Sequence, residues 1–82
     1  MNFVIVGIYD SWYYFSININ GKLYERGTKI VKDAYKAYWH NDNENQTFDD
    51  YLLETYKDYD LIVVCEDGFI EILKGGKKWV NI

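Results

Sequence analysis

The chain has 82 residues, a net charge of −4, one cysteine, no proline and 20% aromatic side chains. That length allows one domain, spanning 1–82, with a modest core. A single cysteine excludes an internal disulfide and points to a reducing compartment, most simply the cytoplasm. An apolar content of 49% argues against disorder.

Residues 3–9, Phe-Val-Ile-Val-Gly-Ile-Tyr, are apolar on both faces and read as a strand in the middle of a sheet. The N-terminus lacks a basic lead and a small-residue cleavage site, and it is too short to cross a bilayer, so a soluble, unexported protein is expected. Asp10-Ser11 marks a turn. From Trp12 to Ile19 the chain alternates, with Tyr13, Phe15, Ile17 and Ile19 on one face and Trp12, Tyr14, Ser16 and Asn18 on the other. Asn20-Gly21 is a strong hairpin signal, because both central residues tolerate positive φ. Lys22 to Arg26 then returns as a short, charged edge strand.

Thr28 is a candidate N-cap for a helix whose apolar stripe is Ile30, Val31, Ala34, Tyr35 and Tyr38. Lys29, Lys32, Lys36 and His40 lie on its outer side, with Asp33 placed to pair with Lys29 at i,i+4. A polar loop, 41–46, leads to Thr47 and a second helix. There Asp50 stands at the capping-box position, and Asp49 and Asp50 sit in the positive first turn. Phe48, Leu52, Thr55, Tyr56 and Tyr59 form the expected inner stripe. Asp50, Glu54 and Asp58 run down the outside. The acidity is local: residues 42–60 carry a charge of −6, whereas 1–41 carry +2 and 61–82 are neutral.

Leu61-Ile62-Val63-Val64-Cys65 is a short β-branched run that reads as a central strand buried on both faces. Asp67-Gly68 turns the chain into Phe69–Lys74, Gly75-Gly76 turns it again, and Lys77–Ile82 is expected to form a sixth strand. The fold expected is α+β, an antiparallel sheet of two β-meanders in the order βββααβββ, with two helices on one face. Two helices of about 10 Å diameter cover one face of a sheet roughly 25 Å wide and leave the other bare. Curling of the sheet or a second chain, as in a homodimer, is then needed to cover Trp12, Tyr14 and their neighbours.

Catalytic, metal and cofactor signals are weak. His40, the only histidine, stands where a helix C-terminus favours a cation. Cys65 follows four aliphatic residues and reads as buried filler rather than a reactive thiolate. The acidic loop lacks the glycine and terminal glutamate of a calcium-binding loop. No cofactor is expected, and an enzyme ranks third among the functions.

The leading expectation is a non-catalytic protein-binding module, accessory or inhibitory. In it Asp49, Asp50, Glu54 and Asp58 meet a basic, nucleic-acid-binding protein, and Trp12 and Tyr14 anchor self-association or a partner. The Asn-, Ile-, Lys- and Tyr-rich composition is what AT-rich codons produce and is compatible with a phage or mobile-element origin. In size, charge pattern and composition the chain resembles small phage inhibitors, among them some anti-CRISPR proteins, with no shared motif behind the likeness. The alternative is direct nucleic-acid binding through Lys29, Lys32, Lys36 and the sheet aromatics.

Overall fold

A computed structural model of the chain describes residues 1–75. Five strands and two helices follow in the order β1 (Phe3–Tyr9), β2 (Trp12–Ile19), β3 (Lys22–Tyr24), α1 (Lys29–Trp39), α2 (Phe48–Thr55), β4 (Leu61–Glu66) and β5 (Phe69–Lys74). They make one mixed sheet in the order β3-β2-β1-β4-β5, flanked by the two helices. The expected strand 77–82, which would have completed the second meander, lies outside the described residues.

The α+β class holds, but the sheet is not purely antiparallel. β1 and β4 pair in parallel, with Phe3 opposite Leu61 and Val6 opposite Val64. Each meander starts at the sheet centre and steps outward, and the link between them runs through both helices. Such a crossover returns the chain to the end of the sheet where β1 began, so β4 enters in the same direction as β1. That entry is tied by hydrogen bonds. The Asp60 and Leu61 amides donate to the Asn2 carbonyl at 2.8 and 3.3 Å, and the Asn2 amide donates to Asp60 Oδ2 at 2.8 Å.

Local sequence builds the hairpins. Asp10 and Ser11, Asn20 and Gly21, and Asp67 and Gly68 all have positive φ at the two central turn positions. This is the left-handed turn whose twist matches paired strands. β3 is shorter than the sequence pattern implies and ends at Tyr24, because Gly27 (φ +93°) turns the chain toward α1. Thr28 stands at the N-cap of α1, but its hydroxyl donates to the Glu25 carbonyl at 2.7 Å instead of capping the helix.

The core lies between the sheet and the helices. Val4, Val6, Phe15, Ile17, Ile62 and Val64 meet Val31 of α1 and Tyr51, Leu52 and Tyr56 around α2. Aromatic edges fill the seam. Tyr35 packs T-shaped on Phe15 at 5.0 Å, and Tyr38 meets Tyr13, Phe48 and Tyr51 at 5.0–5.3 Å. The expected α1 stripe is the one that packs. In α2, Tyr51 is buried and Thr55 is exposed, the reverse of the expected stripe at those two positions. The helix ends at Thr55, so the later residues depart from its periodicity.

Thr47 does cap α2, its hydroxyl accepting the Asp50 amide at 3.1 Å. An eight-residue helix gains little from propagation, so the cap carries a large share of its local stability. Thr47→Ala is expected to lower unfolding free energy by about 1 kcal/mol, read as a lower urea midpoint at unchanged m-value.

Candidate functional site

The strand registers place Phe3, Ile5, Gly7 and Tyr9 of β1 on the sheet face turned away from the helices. Trp12, Tyr14, Ser16 and Asn18 of β2 share that face, as do Leu23 of β3, Leu61, Val63 and Cys65 of β4, and Ile70 and Ile72 of β5. None of these side chains carries a formal charge. None belongs to the helix-side core cluster either. Among the described residues no helix or further strand is layered on this face, as the sequence argument about coverage expects. Ile70 is 71% exposed, Trp12 69% and Ile72 47%. Gly7, with no side chain, leaves a dip between Tyr14 and Cys65 that forms part of a shallow depression of about 460 Å³.

Cys65 therefore sits half-buried in that uncovered face, not in the core as its aliphatic neighbours suggest. Alternation explains the difference: Ile62 and Val64 point to the helices, while Leu61, Val63 and Cys65 point away. His40 is the C-cap of α1, exposed, with its amide donating to the Lys36 carbonyl at 3.0 Å.

The acidic residues are less regular than an i, i+4, i+8 ridge. Asp50 and Glu54 lie one turn apart on α2, but Asp58 falls in the turn after the helix ends. Asp49 is half-buried in the first turn. Glu54 is held in place by a relay in which Asn41 Nδ2 donates to Gln46 Oε1 at 3.1 Å and Gln46 Nε2 donates to Glu54 Oε2 at 2.7 Å.

Lys29 pairs with Asp33 at 2.7 Å, the i,i+4 pair the sequence implies. That contact raises the Lys29 pKa and, with Lys36 adding a weaker pull, lowers that of Asp33. Lys32 and Lys36 are exposed. The Lys29/Lys32/Lys36 ridge belongs to a helix on one sheet face, whereas Trp12 and Tyr14 are registered on the other.

No family model, curated protein or solved structure matches this chain. Function has to be argued from the surfaces themselves.

One site escaped the sequence pattern. Ser11, Trp12, Tyr13, Tyr14, Arg26, Tyr35 and Trp39 line a cleft of about 390 Å³ between the free edge of β2 and α1. Trp39, 69% exposed and off the apolar stripe of its helix, was the available signal. Among the described residues no group of three or more His, Cys, Asp or Glu is gathered to hold a metal ion. No helix among them is long and apolar enough to cross a membrane.

Proposed function

We propose that this chain is a non-catalytic protein-binding module, accessory or inhibitory in role. It pairs with a second copy through the charge-free sheet face and engages a basic protein through the acidic side of α2. The observation that carries the reading is that, among the described residues, none of the strand side chains registered on the second face of the sheet carries a charge. In a chain of 27% charged residues and net charge −4, such a surface lets two copies meet without opposing like charges. Five strands about 4.8 Å apart set the outer strand axes roughly 19 Å apart, a broad flat surface for a partner to meet. Exposed Trp12, Tyr14, Ile70 and Ile72 supply the large apolar contacts that dominate such interfaces.

Pairing through the sheet leaves α2 facing outward. Asp50 and Glu54 on the helix, with Asp58 beyond it and Asp49 beside them, present carboxylates that suit a groove built to receive phosphates.

Size-exclusion chromatography with light scattering tests the first part. Wild type is expected at twice the 9.8 kDa chain mass, and an Ile70→Asp/Ile72→Asp variant at one chain mass with unchanged circular dichroism. A wild type that stays monomeric at high concentration would remove self-association. For the second part, Asp50→Lys/Glu54→Lys is expected to weaken binding to a captured, purified basic partner at least about tenfold. Unchanged affinity would remove the acidic-helix contact. Loss of complex on nuclease treatment would favour nucleic-acid binding instead.

A further inference from the structure

β2 has eight residues, but β3 covers only three of them. β3 pairs with Ile17, Asn18 and Ile19 and then turns away, leaving Trp12 to Ser16 without a strand on that side among the described residues. Which backbone groups this edge exposes follows from the turns. The tight turn at Asp10-Ser11 makes Tyr9 and Trp12 a hydrogen-bonded pair, and alternation makes Gly7–Tyr14 and Ile5–Ser16 the next ones. Tyr13 and Phe15 therefore aim their backbone groups outward. Burial raises the pKa of the Tyr35 hydroxyl, and the nearby Phe15 backbone pulls it weakly the other way. Among the described residues no strand meets the Tyr13 N–H and C=O.

Tyr13 lines the 390 Å³ cleft, with Trp12 and Tyr14 on its sheet-face side and Tyr35 and Trp39 on its helix side, whereas Phe15 is buried behind it. Arg26 is the one cation lining the cleft, and it makes no ion pair among the described residues. It follows directly on β3 and the adjoining Glu25, so it stands at the end of the open segment nearest Ile17.

We propose that this edge is a strand-addition site for an extended peptide segment bearing a carboxylate. The peptide backbone bonds to the Tyr13 N–H and C=O, its alternate side chains lie against the Trp12/Tyr14 and Tyr35/Trp39 walls, and its carboxylate meets Arg26. A strand added antiparallel to β2 continues the line of β3 and brings its first residues to Arg26. A strand added in parallel brings its last residues there. An acidic side chain near the start serves the first case, and the terminal carboxylate serves the second. The inference deepens the protein-binding reading by giving the ligand's form. It needs neither dimerisation nor the acidic helix.

The test is selection of peptides from a random dodecapeptide library against the intact protein, with counter-selection on an Arg26→Gln/Trp39→Ala variant. Both substituted side chains are exposed, so the fold should survive, and circular dichroism checks it. Selected peptides, synthesised and titrated, are expected to bind wild type at least tenfold more tightly than either single variant. They should bind Asp50→Lys/Glu54→Lys as tightly as wild type and Ile70→Asp/Ile72→Asp at least as tightly, since the monomer leaves Trp12 and Tyr14 free, which separates this site from the two surfaces proposed above. N-methylation at alternate peptide amides should abolish binding in one phase and spare it in the other. C-terminal amidation against Asp/Glu-to-amide replacement tells which carboxylate Arg26 holds. No enrichment over the counter-selected bait, or binding indifferent to N-methylation, would overturn the proposal. A drop in oligomeric mass in Arg26→Gln/Trp39→Ala would assign the edge to a second copy and overturn it equally.

Discussion

Phe15→Ala is expected to leave much of the protein unfolded at room temperature. Phe15 is 2% exposed at the middle of β2, facing the helices, with Tyr35 of α1 edge-on at 5.0 Å. Removing a buried aromatic ring costs about 3–5 kcal/mol, from lost transfer energy and the cavity left behind. Loss of the ring pair adds about 0.5–1.5 kcal/mol. A chain of this length holds only roughly 4–12 kcal/mol of stability, so the substitution removes a large share of it. Tyr35 would also lose the packing that steadies its hydroxyl beside the Phe15 amide, and α1 would loosen over β2. The check is urea denaturation followed by circular dichroism, with Phe15→Leu as a volume-retaining control costing under about 1.5 kcal/mol. A Phe15→Ala midpoint within error of wild type would mean that the sheet–helix core is not where stability resides.

Alkaline pH is expected to unfold the protein sharply, through its tyrosines. Burial, and then the neighbouring Tyr51 and Tyr59 hydroxyls, push the Tyr56 pKa far above its usual range. Tyr38 is pushed up to about 12, by burial first and then by its hydrogen bond with Tyr13. Tyr35 and Tyr59 also rise, with burial the leading cause in each. An unfolded tyrosine ionises near about pH 10. Between that value and the raised folded pKa, the folded state keeps protons that the unfolded state has released. Stability is therefore intact below about pH 10 and falls as pH rises beyond it.

A fully buried tyrosine contributes a slope of about 1.4 kcal/mol per pH unit in that window. Tyr56, only 7% exposed, should come close to this, and the half-exposed tyrosines should contribute less because solvent screens them. Tyr56→Phe should match wild type near neutrality and lose stability less steeply above about pH 10. Identical slopes in the two proteins would show that Tyr56 ionises normally in the folded state.

Much of the architecture was legible because it is local. Two-residue turns at Asp10-Ser11, Asn20-Gly21 and Asp67-Gly68 set the hairpins, and clean alternation from Trp12 to Ile19 assigned the β2 side chains to their two faces. Helical spacing found the packed stripe of α1 and the Lys29–Asp33 pair, and the Thr47 cap located the start of α2. A second face on which none of the described elements is layered was legible too, since two helices cannot cover both sides of a sheet this wide.

Other features depend on how distant segments meet. The parallel pairing of β1 with β4 comes from the helical crossover, which no residue in either strand encodes. The end of α2 at Thr55 and the exchange of Tyr51 for Thr55 on its inner side were settled by packing against the sheet, not by propensity. Cys65 faces away from the core because register, not hydrophobicity, chooses its side. The edge cleft joins residues from the β1–β2 turn, β2, the segment before α1 and Tyr35 and Trp39 of α1. Sequence by itself determined the elements, their polar and apolar faces and where the charge lies, because those follow from turn chemistry and side-chain period. Tertiary structure alone decided which strands became neighbours and which backbone groups stayed unpaired, because both depend on contacts between residues far apart in the chain.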